Sequence, residues 1–125
     1  MAKGTYWQRG ESIDYTNSGD TKLDANTVVL YGSRLGIVGA DIPAGATGAL
    51  LVEGVYRLPK EYADSGKALT AGQEVQWDNS NSYIKAAVAQ VVAEGAVTTE
   101  ASPVHGYAVA AAASADQTVL VKINA

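Results

Sequence analysis

Four sets of residues hold side chains able to do chemistry. Ser65-Gly66-Lys67-Ala68 is half of a phosphate-binding loop, in which backbone N–H groups cradle phosphates and a lysine reaches the outer ones. The full motif needs a glycine five residues before the second one and Ser or Thr after the lysine, but Glu61 and Ala68 stand there. Asp78-Asn79-Ser80-Asn81-Ser82 opens like a calcium loop. However, Tyr83 takes the sixth position, where glycine makes the turn, and Ala89 the twelfth, where a bidentate Glu is required. A hairpin turn with hydrogen-bonding side chains is expected instead. His105 is the only histidine and there is no cysteine, which excludes a His- or Cys-based metal cluster and leaves His105 no evident nucleophile to activate. Finally, Asp14, Asp20, Asp24, Glu53, Glu61, Asp64 and Asp78 lie on separate segments and read as solvated charge. No catalytic residue, metal site, cofactor or small-molecule substrate is expected, and the chain does not read as an enzyme.

Composition narrows the partners. The net charge is −4, which weighs against nucleic acid, since affinity there rests on Lys and Arg neutralising phosphates. The longest apolar run, Ala108–Ala113, is far short of the ~20 residues that cross a bilayer, so no membrane partner is expected. The opening Met1-Ala2-Lys3-Gly4-Thr5-Tyr6 has no apolar core of a signal peptide, so the protein is expected to be made in a cytoplasm and soluble there. Its 125 residues suffice for one domain with a real core. That core is drawn from Ala, Val, Leu and Ile, with no Phe and two Trp, so each position buries little area. Oligomerisation or docking would offset such a modest core.

The elements that must carry these residues are strands. Leu50–Lys60 is the longest strand-like run and ends sharply at Pro59-Lys60. Extended, it puts Leu50, Val52, Tyr56 and Leu58 on one face, with a gap at Gly54, and Leu51, Glu53, Val55 and Arg57 on the other. It is expected at the centre of a small sheet. Thr27–Tyr31 and Arg34–Gly39 flank Gly32-Ser33 as a hairpin, and Glu74–Trp77 with Tyr83–Lys85 flank a second turn. Val104–Ala110 reads as a strand of small side chains. In the last strand Val119, Val121 and Ile123 alternate with Thr118, Leu120 and Lys122. Residues 86–94 suit a short helix by their alanines and Gly95 but a strand by Val88, Val91 and Val92, and the extended form is favoured. Residues 97–102 read as irregular. The fold class expected is all-β: a small single-domain barrel or sandwich of short antiparallel strands over residues 21–125.

Residues 1–20 are polar and sparse in aliphatics, and read as an extended N-terminal arm. Tyr6 and Trp7 either pack back on their own domain or anchor in a partner. Together with Arg9 they are residue types enriched in interface hot spots.

Several segments resemble one family in the right order. Val52–Lys60 resembles the "EGV-aromatic-x-LPK" strand of small tailed-phage virion proteins known as capsid cement or head decoration proteins, and places Glu53, Gly54, Tyr56, Leu58 and Pro59 in its signature. Gly72–Asp78 is similar to the family's "G-x-x-V-x-W-D" segment, and Gly106–Ser114 and Thr118–Asn124 continue the likeness. Tyr6-Trp7-Gln8-Arg9-Gly10 resembles its opening "aromatic-x-Q-x-G" arm. The chain departs from the family in a longer Gln90–Ser102 stretch. The resemblance implies a β-rich virion protein that binds the outside of an icosahedral head after expansion, commonly as a homotrimer. The major capsid protein would be its partner. The alternative is a virion-surface β domain that binds a host receptor or glycan, with Trp77 and Tyr83 as the stacking platform.

Overall fold

The computed structural model describes residues 2–6 and 8–125. It is all-β, with no helix among the described residues. Eleven strands follow in order: β1 Ser12–Thr16, β2 Val28–Tyr31, β3 Arg34–Val38, β4 Thr47–Leu51, β5 Val55–Pro59, β6 Glu74–Asp78, β7 Tyr83–Ala86, β8 Val91–Ala93, β9 Ala96–Thr99, β10 Gly106–Ala108 and β11 Thr118–Ile123. They form a four-stranded sheet β1-β4-β3-β2, a five-stranded sheet β5-β11-β10-β6-β7, and a separate β8-β9 hairpin. The outer strands β5 and β7 of the five-stranded sheet meet at one parallel bridge, Lys60 to Ile84, with the Glu61 N–H donating to the Ile84 carbonyl at 2.9 Å. A single bridge is not a ladder, and the sheets do not close into a barrel.

The chain packs as two compact units, Met1–Val29 with Gly36–Glu53, and Leu30–Leu35 with Gly54–Ala125. Their border corrects the expectation of one central strand over Leu50–Lys60. Leu50 and Leu51 end β4, an inner strand, whereas Val55–Pro59 is an edge strand of the other sheet. The run breaks in a bend at Glu53-Gly54, where Gly54 has φ 122°, a backbone state that side chains disfavour. Two-residue alternation continues across the bend, so the sequence pattern hides it. Pro59 suits the edge. The Lys60 N–H bonds to the Gln117 carbonyl and the Gly54 carbonyl accepts from Ile123, so alternation turns the backbone of Val55, Arg57 and Pro59 away from β11. Proline's missing N–H therefore costs the ladder nothing.

Other expectations stand with changed bounds. The β2-β3 hairpin turns through Gly32 with φ 61°, and β6-β7 pairs from Val75↔Ala86 to Asp78↔Tyr83. The Val104–Ala110 strand shrinks to β10. Within 86–94, Val91–Ala93 is extended, and Ala96–Thr99 forms a strand where irregular chain was expected. The turn between them uses Glu94 and Gly95, both with positive φ.

The two units repeat one design, which sequence reading did not detect. β1-β4-β3-β2 and β5-β11-β10-β6 share one strand order when β1 corresponds to β5, β2 to β6, β3 to β10 and β4 to β11. The loop hydrogen bonds repeat as well. Leu23 and Ile42 exchange two N–H···O bonds, as do Leu69 and Ala112. The Ala46 N–H donates to Pro43 and the Asp116 N–H to Ala113, both at 3.0 Å. The Asn17 N–H donates to Ala46 and the Lys60 N–H to Gln117, both at 2.9 Å. Asn26 and Gly72, with φ 71° and 85°, turn the chain into β2 and β6. The core follows the same plan with different residues: Val38, Ile42 and Leu50 are buried in the first unit, and Ala108, Ala112 and Val121 in the second. The second unit also buries Trp77 and Ile84.

Candidate functional site

The residues with chemical potential are occupied by structural work. Lys67 pairs with Glu61 at 3.2 Å, and its N–H donates to Ser114 Oγ. Asp78 accepts from the N–H groups of Ser80 and Asn81 and from Asn81 Nδ2, and pairs with Lys85 at 3.3 Å. These Asn81 bonds, with Lys85 behind them, hold its carboxyl below the ordinary range. A hollow of about 270 Å³ is lined by Lys60, Lys67 and Lys85, with Glu61 and Ile84. Lys60 donates to the carbonyls of Glu61, Ser114 and Asp116 at 2.7, 3.3 and 3.3 Å, so none of the three lysines presents an uncommitted amine. Among the described residues no group of three or more metal-ligating side chains converges.

His105 is buried, and its Nδ1 accepts the Trp77 N–H at 2.8 Å, which places the ring proton on Nε2. Burial holds its pKa below the ordinary histidine value. The folded state therefore favours the neutral ring. Its contribution is complete above the unfolded value near 6.5 and is lost as pH falls through the lower folded value. Urea melts from pH 7 down to pH 4 are expected to show a loss of stability that His105→Gln lacks. A parent and variant with parallel pH profiles would contradict this.

The N-terminal residues behave differently. Residues 2–6 and 8–11 are exposed throughout and lie in no strand. Tyr6 is 80% exposed, so it does not pack back on its own domain. Arg9 lies 3.4 Å from Glu11, but both side chains are largely in water, where such a pair contributes little. Trp7 lies outside the described residues. The stretch is rooted firmly: β1 pairs with β4 from Ser12↔Leu51 to Thr16↔Thr47, and the Glu11 carbonyl accepts the Val52 N–H at 3.0 Å.

The signature residues lie at the bend and along the edge strand β5. Glu53 is exposed at the bend, and a Cβ on Gly54 would lie 3.3 Å from the Tyr56 ring. Tyr56 is partly buried, which pushes its phenol pKa up. Leu58 is buried, and Pro59 delivers the chain to Lys60, a buried ammonium that sequence reading took only as the strand's exit. A stacking platform is not available at Trp77, which is buried with its Nε1–H directed to Asn79. Tyr83 is partly buried beside Glu61.

A rooted, exposed arm is what a contact protein needs. A family model of phage cement proteins matches residues 7–123. The chain belongs to the phage cement protein family. It is thus a structural, capsid-associated virion protein, and the match over nearly the whole chain takes in the strand likenesses. The matched stretch starts at Trp7 and takes in Arg9 but leaves Tyr6 outside. No curated protein and no solved structure matches.

Proposed function

We propose that this protein binds the outer surface of an expanded phage head, gripping the major capsid protein through its N-terminal arm, and stabilises the shell as a homotrimer without catalysing a reaction. It is made in the host cytoplasm and ends on the virion. The observation that carries this is the exposure of Tyr6 and Arg9 on a stretch rooted through β1 in a four-stranded sheet. An aromatic and an arginine held out from a rigid body suit anchoring in a partner's pockets. The extended arm also has the backbone groups to add a strand to an exposed capsid sheet edge. Three arms on one trimer would bind far more tightly than one, because each later contact forms at high effective concentration.

Co-sedimentation with purified expanded heads tests this. The full chain is expected to pellet with heads, and removal of residues 2–10, or Tyr6→Ala with Arg9→Ala, to weaken binding at least about tenfold, the loss of one good hot-spot contact. Full binding without the arm would contradict the arm's role, and no binding by the intact chain would contradict the function.

A further inference from the structure

The repeated design separates what both units share from what only the second carries. Between β2 and β3 of the four-stranded sheet there is only the turn Gly32-Ser33, whereas β7, β8 and β9 lie between the corresponding β6 and β10. β7 extends the five-stranded sheet; the β8-β9 hairpin pairs only with itself. Its base is clasped by two bonds, Val88 N–H to Ser102 Oγ at 2.7 Å and Ser102 N–H to the Val88 carbonyl at 2.8 Å. Beyond that clasp every residue from 88 to 101 is exposed, and Val88, Val91, Val92 and Val97 are 43–58% exposed. A lone two-stranded hairpin is marginal in water, so an element of this kind gains its order from a surface laid against it. Between 86 and 104 the only charges are Glu94 and Glu100.

A complementary patch lies on the edge of the five-stranded sheet. Val55 stands opposite Lys122, and Arg57 opposite Leu120, so these four side chains share one face. Val55 is 52% exposed and Arg57 is exposed. Arg57 donates to Thr118 Oγ1 at 3.4 Å, and neither it nor Lys122 is in an ion pair among the described residues. Tyr107, opposite Lys122 on β10, adds an aromatic; Glu74 beyond it on β6 marks where the basic character ends.

The geometry points to a contact between copies, in which the acidic, valine-bearing β8-β9 hairpin of one copy lies on the Val55, Arg57, Leu120 and Lys122 patch of the next. The inference rests on the trimer proposed above and gives it an interface. The two surfaces are different patches of one chain, so the contact is head-to-tail and generates a ring when the rotation closes. Opposite charge and matched apolar surface on the same chain favour a second copy over the capsid protein as occupant.

The chain has no cysteine, which makes the test clean. Val97→Cys and Val55→Cys are made separately, mixed in the absence of heads and exposed to a mild oxidant. The mixture is expected to give a disulfide-linked dimer about tenfold in excess of either variant alone. Adding Glu94→Lys and Glu100→Lys to the first should lower that yield about tenfold, and Arg57→Glu with Lys122→Glu on the second should restore it, as expected for close interfacial charge pairs. Equal cross-linking in the mixture and the single variants, cross-linking of Val97→Cys to itself, or loss of yield without rescue would each overturn the inference. Head binding of the uncross-linked chain is read separately, so retained co-sedimentation with failed cross-linking rejects this interface and leaves the proposed function standing.

Discussion

Gly106→Ala is expected to leave little folded protein. A Cβ there would overlap the carbonyl oxygen of Lys122 and come within 3.0 Å of the Ile123 Cα, at a φ of 149° that side chains disfavour. Both obstacles are backbone of β11, the strand between β10 and β5, and backbone cannot rotate aside. The β10-β11 pairing from Gly106↔Ile123 to Ala108↔Val121 must open instead, and a cost of at least about 4 kcal/mol follows, in the range reserved for severe backbone or core conflicts. The corresponding glycine of the first unit is a calibrated comparison. The three atoms nearest a Cβ on Gly36 all belong to the Leu50 side chain, at 2.5–2.7 Å, and a leucine can shift its rotamer. Gly36→Ala should cost about 1–3 kcal/mol, as overpacking does. Gly10, with nothing within 4 Å, is the reference, and its alanine variant should lie within about 0.5 kcal/mol of the parent. Urea melts of the three variants check the ranking. A Gly106→Ala protein as stable as the Gly10→Ala one would refute the close approach of β10 to β11.

Lys60→Met carries the second large effect, and two terms oppose each other in it. Burial holds the Lys60 amine below the ordinary lysine range, with Asp116 and Glu61 partly restoring it, so removing the charge relieves a desolvation cost. Its three partners, however, are the backbone carbonyls of Glu61, Ser114 and Asp116, which remain when the ammonium is gone. Each orphaned carbonyl costs about 1–3 kcal/mol where water cannot replace the donor, so the loss of three donors outweighs the relief. A net destabilisation of about 2–3 kcal/mol is expected, seen as a melting temperature lower by roughly 10 °C. Methionine keeps the buried stem, so the comparison isolates the ammonium. A Lys60→Met protein melting at or above the parent would show that the three bonds do not hold the loop at Ser114–Asp116.

The hairpins were legible because their signals are local. β-branched strands on either side of Gly32-Ser33, and the Asp78–Asn81 turn between β6 and β7, need no distant information. The alternation of Val119, Val121 and Ile123 likewise predicted the burial of one face of β11. What was hidden depends on backbone rather than side-chain pattern. The bend at Gly54 interrupts no alternation. The repeated design survives in hydrogen bonds while the residues have changed: Asn26 and Gly72 hold the same positive-φ site, and a buried Asn17 takes the place of a buried Lys60. Asn17 donates to the carbonyls of Thr21 and Ile42, as Lys60 does to those of its own loops. A lysine after Leu-Pro reads as solvated charge, since lysines are rarely buried, and two of the three carbonyls that hold it lie more than fifty residues away. On the arm, the sequence left open whether Tyr6 packs back on its own domain or faces a partner, because neither outcome has a local residue pattern; its exposure is visible only in the structure.

The proposed working surface is the arm ahead of β1, which the rest of the chain positions. A density map of expanded heads decorated with the full-length protein tests this most directly. The arm, with Tyr6 and Arg9, is expected in ordered contact with the major capsid protein on the outer surface, three copies around one axis. A map in which the protein is absent from the shell, or sits there through its body with the N-terminal residues directed into solvent, would contradict it.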